Sequence, residues 1–168
     1  MCNEPRKLCE WDVPPAISKN GRLWTCGRPG RGVYGTEWKK IGDETVHMWV
    51  EGLPKAKVLH IVSLLGKKPD GRSEFWYYSF RSERERGVKP TFQQWLDDNV
   101  DGCFCVHEFP TTDRQGIPER LKDEVVDCIT TLLQQDCTVV IVDSAGAERT
   151  ARICEDLGCK KKKGGRAD

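Results

Sequence analysis

The stretch VVIVDSAGAERTARICEDLG, residues 139–158, decides the fold. It begins as a continuous apolar run, the pattern of a central strand covered on both faces. A short turn of small residues follows, and apolar positions then return at helical spacing through Ala147, Ala151, Cys154 and Leu157, with Gly158 as the stop. A tight turn leaving such a strand and entering a helix aims successive backbone N–H groups at one point, and the helix start adds its positive end. The product is a nest for an anion. Ala145, Gly146 and Ala147 are small enough to let a phosphate approach the backbone formed by Ser144 to Glu148, and Arg149 can fold back as a two-pronged fork onto its oxygens. Small residues before a helix also serve close packing alone, so the spacing from Asp143 to Arg149 is what makes the nest specific.

Working outward, the preceding segment from Ile117 to Gln135 carries Ile117, Leu121, Val125, Ile129 and Leu132 at intervals of three and four, which predicts an amphipathic helix. DETVHMWVEGL, residues 43–53, predicts a helix behind Asp43, and VLHIVSLL from Val58 a buried strand. LWTCG is a short apolar piece, EFWYYSF reads as a strand, TFQQWLDDN as a short helix capped by Thr91, and CFCVHEFP as a strand that stops at Pro110. Glycine-rich GRPGRGVYG lacks the ending of a P-loop and reads as a surface turn; GKKPDGRS is a turn and RSERERG a solvated link. Alternating strands and helices predict an α/β fold, a central, mostly parallel sheet flanked by helices. The expected organisation is an irregular lead-in over 1–20, an α/β domain over 21–158 and a disordered basic tail over 159–168.

Composition is consistent with one soluble domain. Charged residues make up 32% and apolar residues 38% of 168, and the net charge of +1 argues against a surface built throughout for nucleic acid. Any such contact is confined to the four lysines of the tail. The first residues do not resemble a signal peptide and no apolar run approaches a membrane span, so an intracellular, cytoplasmic protein without membrane contact is expected. The nine cysteines are scattered and read mostly as reduced thiols. Cys103, Cys105 and His107 alternate along one strand, with Cys2 and Cys9 near the start, yet no CxxC pair accompanies them. Buried small side chains are the better reading, and neither metal nor cofactor is expected.

SAGAERT, Ser144 to Thr150, resembles the loop of the cysteine-dependent protein tyrosine phosphatases, especially their compact dual-specificity branch, whose signature is His-Cys-x5-Arg-Ser/Thr. The resemblance extends over roughly residues 20–158: VLHIVSLL matches the first central strand, and the strand ending in FPTTD the one that leads to the general-acid loop. It implies a compact dual-specificity-phosphatase-like fold with phosphate held by residues 144–149. It further implies Asp113 as general acid, Arg149 as phosphate-binding arginine and Thr150 as the hydroxyl beside the nucleophile. Three departures matter. Val142 replaces the histidine, Asp143 replaces the nucleophilic cysteine, and the chain stops soon after Gly158, so a shortened C-terminal helical region is expected.

A family cysteine attacks as a soft thiolate, its pKa lowered by the loop's N–H groups and nearby positive charge. A carboxylate is a weaker nucleophile and sits in the same nest as a resident anion. At an effective dielectric of about 20, a unit charge about 4 Å from a dianion costs on the order of 8 kcal/mol. A thiolate repels similarly, so size and chemistry decide: the carboxylate projects an extra heavy atom into the space phosphorus needs. Enzymes that form an aspartyl phosphate offset the charge with a metal ion, and no acidic cluster near the loop suggests one. Asp113 also has an ordinary reading as turn chemistry in Thr-Thr-Asp. The reading is a phosphatase-like domain, inactive or very weak as written, that binds a phosphorylated protein or a small anionic phosphate ligand. Two alternatives stand beside it: an active phosphatase whose cysteine has been replaced in this chain, and a small α/β interaction module without an anion site. Val142 weighs against the first, because a single engineered change would leave its neighbour alone. Oligomeric state is not legible.

Overall fold

The computed structural model describes Pro5 and residues 7–29, 43–66, 91–112, 115–143 and 148–162. These form a six-stranded sheet of order β4-β3-β5-β2-β1-β6 with four helices among the described residues. The strands are β1 (Cys9–Asp12), β2 (Arg22–Gly27), β3 (Leu59–Ser63), β4 (Phe104–Glu108), β5 (Thr138–Asp143) and β6 (Lys160–Lys161). The helices are α1 (Asp43–Glu51), α2 (Phe92–Asn99), α3 (Glu119–Gln134) and α4 (Glu148–Asp156). β5 is central and parallel to β2 and β3, and β3 is parallel to β4. Among the described residues only the β2–β1–β6 margin is antiparallel. This is the α/β fold with a mostly parallel sheet that the alternation of elements predicts.

The period-two alternation of the strands divides the core into two layers. Leu23, Val62, Leu64, Val139 and Ile141 face α3 and α4, meeting Val125, Ile129, Leu133, Ile153 and Cys154. Leu59, Ile61, Val140, Val142 and Cys26 face the other way, against Val46, Trp49 and Val50 of α1 and Phe92, Trp95 and Leu96 of α2. β5 is apolar from Val139 to Val142 because these residues contribute to both layers. Val142, at the position where the resemblance calls for histidine, is spent on packing in the second layer.

α2 begins with the expected Thr91 cap: the Gln94 amide donates to the Thr91 hydroxyl, and the Thr91 amide donates back to the Gln94 side chain. Its Gln93 side chain then acts as a stand-in strand, accepting from the Val106 amide at 2.7 Å and donating to the Phe104 carbonyl at 2.9 Å, which satisfies two backbone groups of β4. α4 is followed by Gly158 at φ +74°, the left-handed conformation in which glycine stops a helix without steric cost.

Four expectations need correction. The lead-in contains β1, which pairs with β2 and buries Trp11, whose indole N–H donates to the Thr25 hydroxyl at 2.9 Å. The basic tail does not begin as free chain: Lys160 and Lys161 add a strand to β1, Lys162 pairs with Glu10 at 3.2 Å, and Lys161 lies over the Trp11 ring. Gly27, Arg28 and Pro29, which open the glycine-rich run, are buried and not a surface turn. The helix expected from Ile117 starts only at Glu119, because Pro118 holds its entry in an extended conformation. The expected strand at 74–80, the link at 81–87 and the remainder of the glycine-rich run lie outside the described residues.

Candidate functional site

Three parallel strands, β2, β5 and β3, end side by side, and open α/β sheets bind ligands at such carboxyl ends. Asp143 is the last residue of β5, opposite Gly27 of β2, and is 2% exposed. β3 runs on past its end, with the Leu64 amide donating to the Val142 carbonyl at 2.8 Å. The chain leaving β4 lies alongside this extension: Phe109 donates to the Ser63 carbonyl and Thr111 to the Leu64 carbonyl. Gly66 makes this approach feasible, since a Cβ there would stand 2.1 Å from the Thr111 carbonyl oxygen.

α4 enters this corner from above β5. The Thr150 amide, in the first turn of α4, donates to Asp143 Oδ2 at 3.1 Å. A carboxylate at a helix N-terminus satisfies an otherwise orphaned N–H and lies at the positive end of the helix. Arg149 turns inward and is 6% exposed. Its Nη1 donates to the Thr111 hydroxyl at 2.5 Å and reaches the Leu64 carbonyl at 3.4 Å, while that hydroxyl donates to the same carbonyl at 2.7 Å. The arginine is thus tied to the segment that leads toward Asp113.

Of the residues picked from sequence, the structure brings together Asp143, Arg149 and Thr150. Glu148 opens α4. Ser144, Ala145, Gly146, Ala147 and Asp113 lie outside the described residues. The structure adds three residues to the corner that sequence reading missed. Thr111 is one, buried and bonded as above. Arg28 is another: it follows Gly27, the register partner of Asp143, and is only 2% exposed, an unusual depth for arginine. The third is Cys26. Burial pushes its thiol well above the usual range, the nearby Asp143 charge pushes the same way, and the contact with Trp49 opposes them. It therefore stays protonated and deep in the core, unsuited to nucleophilic attack.

The arrangement is an α/β fold whose central strand ends in a buried aspartate at the start of a helix. The comparison with solved structures bears on that fold. The chain is similar to a crystal structure of a kinase-associated phosphatase carrying a serine in place of its catalytic-site cysteine, with a TM-score of 0.58 and 16% identity over 91% of this chain and 72% of that one. The fold is therefore dual-specificity-phosphatase-like. No family model matches the sequence, and a search of curated proteins finds no matching relative. No helix among the described residues is long and apolar enough to cross a membrane.

Proposed function

We infer that the chain is a pseudophosphatase: a phosphatase-like domain that binds a phosphorylated or other anionic group on a partner and does not turn it over efficiently. The observation that carries this reading is the buried Asp143 carboxylate at the mouth of α4, already engaged by the Thr150 amide. Phosphoryl transfer to this carboxylate would require it to leave that amide, bring a second negative charge against the phosphate, and do so without the soft, polarisable sulfur the loop is suited to activate. Buried Cys26 offers no substitute.

Binding is a different demand. The inward-turned Arg149 supplies charge, the start of α4 supplies its dipole, and the loop amides between Asp143 and Arg149 are the expected remaining donors. In the proposed complex the anion sits beyond the carboxylate, against the guanidinium and the loop, instead of directly over the strand end. Thermal melting with phosphate, sulfate or vanadate tests this: the melting temperature rises with anion concentration, as for any ligand selective for the folded state. Arg149→Met abolishes the rise. No shift with any of the three anions, or a shift unchanged in Arg149→Met, rules out the proposed binding.

A further inference from the structure

We propose that His60, Cys105 and His107 form a binding site for one divalent transition-metal ion of the zinc type, on the α3-facing side of the β3–β4 margin and separate from the Asp143 corner. His60 and Cys105 are register partners on neighbouring parallel strands, and His107 follows two residues on, so all three side chains leave the same face of the sheet. Their ligand atoms lie within 4.8 Å of one another, with His60 Nδ1 and His107 Nε2 3.0 Å apart and the two rings stacked at 5.3 Å.

The donor set selects the ion. Two imidazole nitrogens and a thiolate suit borderline-soft zinc, or cobalt in its place, and not magnesium or calcium, which require oxygen. Zinc–nitrogen bonds of about 2.0–2.1 Å in a tetrahedral site put two nitrogens roughly 3.3 Å apart, so the histidine rings need part by only ~0.3 Å. Five consecutive register pairs between β3 and β4 hold the backbone beneath all three ligands, and the Gln93 side chain steadies the outer edge of β4. Each ligand residue is partly exposed, which gives an ion a route in and leaves the fourth position to water. On binding, the Cys105 sulfur forms the metal bond as its proton passes to solvent, and the metal replaces the direct contact between the two rings. The clamp joins β4, at the margin of the sheet among the described residues, to its neighbour β3.

Cobalt titration of the full, reduced chain provides the test. One equivalent binds per chain and develops a thiolate-to-cobalt charge-transfer band with the intensity of a single thiolate. Cys105→Ser removes the band, His60→Ala and His107→Ala each weaken binding at least about 100-fold, beyond the roughly 10–100-fold typical of outer-shell changes, and Cys137→Ser leaves both unchanged. Zinc displaces the cobalt. Should any variant fail to fold, the spectrum of the natural chain still decides: a missing band, or an intensity requiring two or more thiolates, overturns the site. So does a band that survives Cys105→Ser, or one lost equally in Cys137→Ser.

Discussion

Asp143 and Thr150 face each other across the entry to α4, the carboxylate of one accepting the amide hydrogen of the other at 3.1 Å. The contact joins the end of the central strand to the first turn of the helix that would cradle a phosphate. In the proposed function the same carboxylate both supports the fold and occupies part of the anion site, so its removal affects the two in opposite directions.

In Asp143→Ala the Thr150 N–H loses its acceptor. By analogy with a lost helix cap, stability without ligand falls by about 1 kcal/mol. Phosphate affinity rises at least about tenfold, because repulsion of ~4 kcal/mol per unit charge at about 4 Å is relieved and 1.4 kcal/mol suffices for that gain. Denaturant unfolding and calorimetric phosphate titration measure the two effects. Equal or weaker phosphate binding in the variant contradicts the competition.

Thr111 holds the arginine in its inward pose. Thr111→Val keeps the shape but removes the hydroxyl, leaving a buried charge-assisted hydrogen bond unmade at a cost of about 1–3 kcal/mol. Anion-induced stabilisation declines with it, and Thr111→Ser restores both. If the valine variant matches the natural chain in unfolding free energy and in its response to phosphate, Thr111 has no such role.

Glu10 receives Arg22 and Lys162, tying β1 to its neighbours on both sides. Burial pushes the Glu10 carboxyl up, but the hydrogen bonds and charges of Arg22 and Lys162 outweigh it and hold the group below its ordinary value of 4.5. A carboxyl with a lowered folded pKa stabilises the protein above the ordinary value, and this contribution is lost as pH falls through the folded one. Both cations are substantially exposed, so Glu10→Gln costs only about 0.5–1 kcal/mol at neutral pH. The difference from the natural chain disappears in acid. Melting curves of the two proteins across that range, differing by a constant amount, contradict the linkage.

How much of this was legible follows from where the forces act. β5 and α4 announce themselves locally, through Val139–Val142 and the helical spacing of Ala151, Cys154 and Leu157. β1 does not: CEWD carries two acids in four residues, and only Trp11 is buried. Nor does β6, two exposed lysines whose strand character comes wholly from pairing with Trp11 and Asp12. Arg28 is hidden in the same way, since composition places arginine in water and only the sheet register brings it beside the end of β5. In the candidate site, the link from Asp143 to Thr150 is short in sequence, and the loop pattern points to it. Thr111 meets Arg149 across 38 residues, and His60 meets His107 across 47. Those encounters depend on strand order, which the pattern of apolar residues does not specify.

Whether the Asp143 carboxylate attacks phosphorus separates a pseudophosphatase from a working enzyme. The direct measurement is hydrolysis of an aryl phosphate by the chain as it stands, beside Asp143→Ala made and purified identically. With no attacking carboxylate, hydrolysis by the two proteins is low and indistinguishable. Turnover by the natural chain that vanishes in Asp143→Ala would make the carboxylate a working nucleophile and contradict the pseudophosphatase reading.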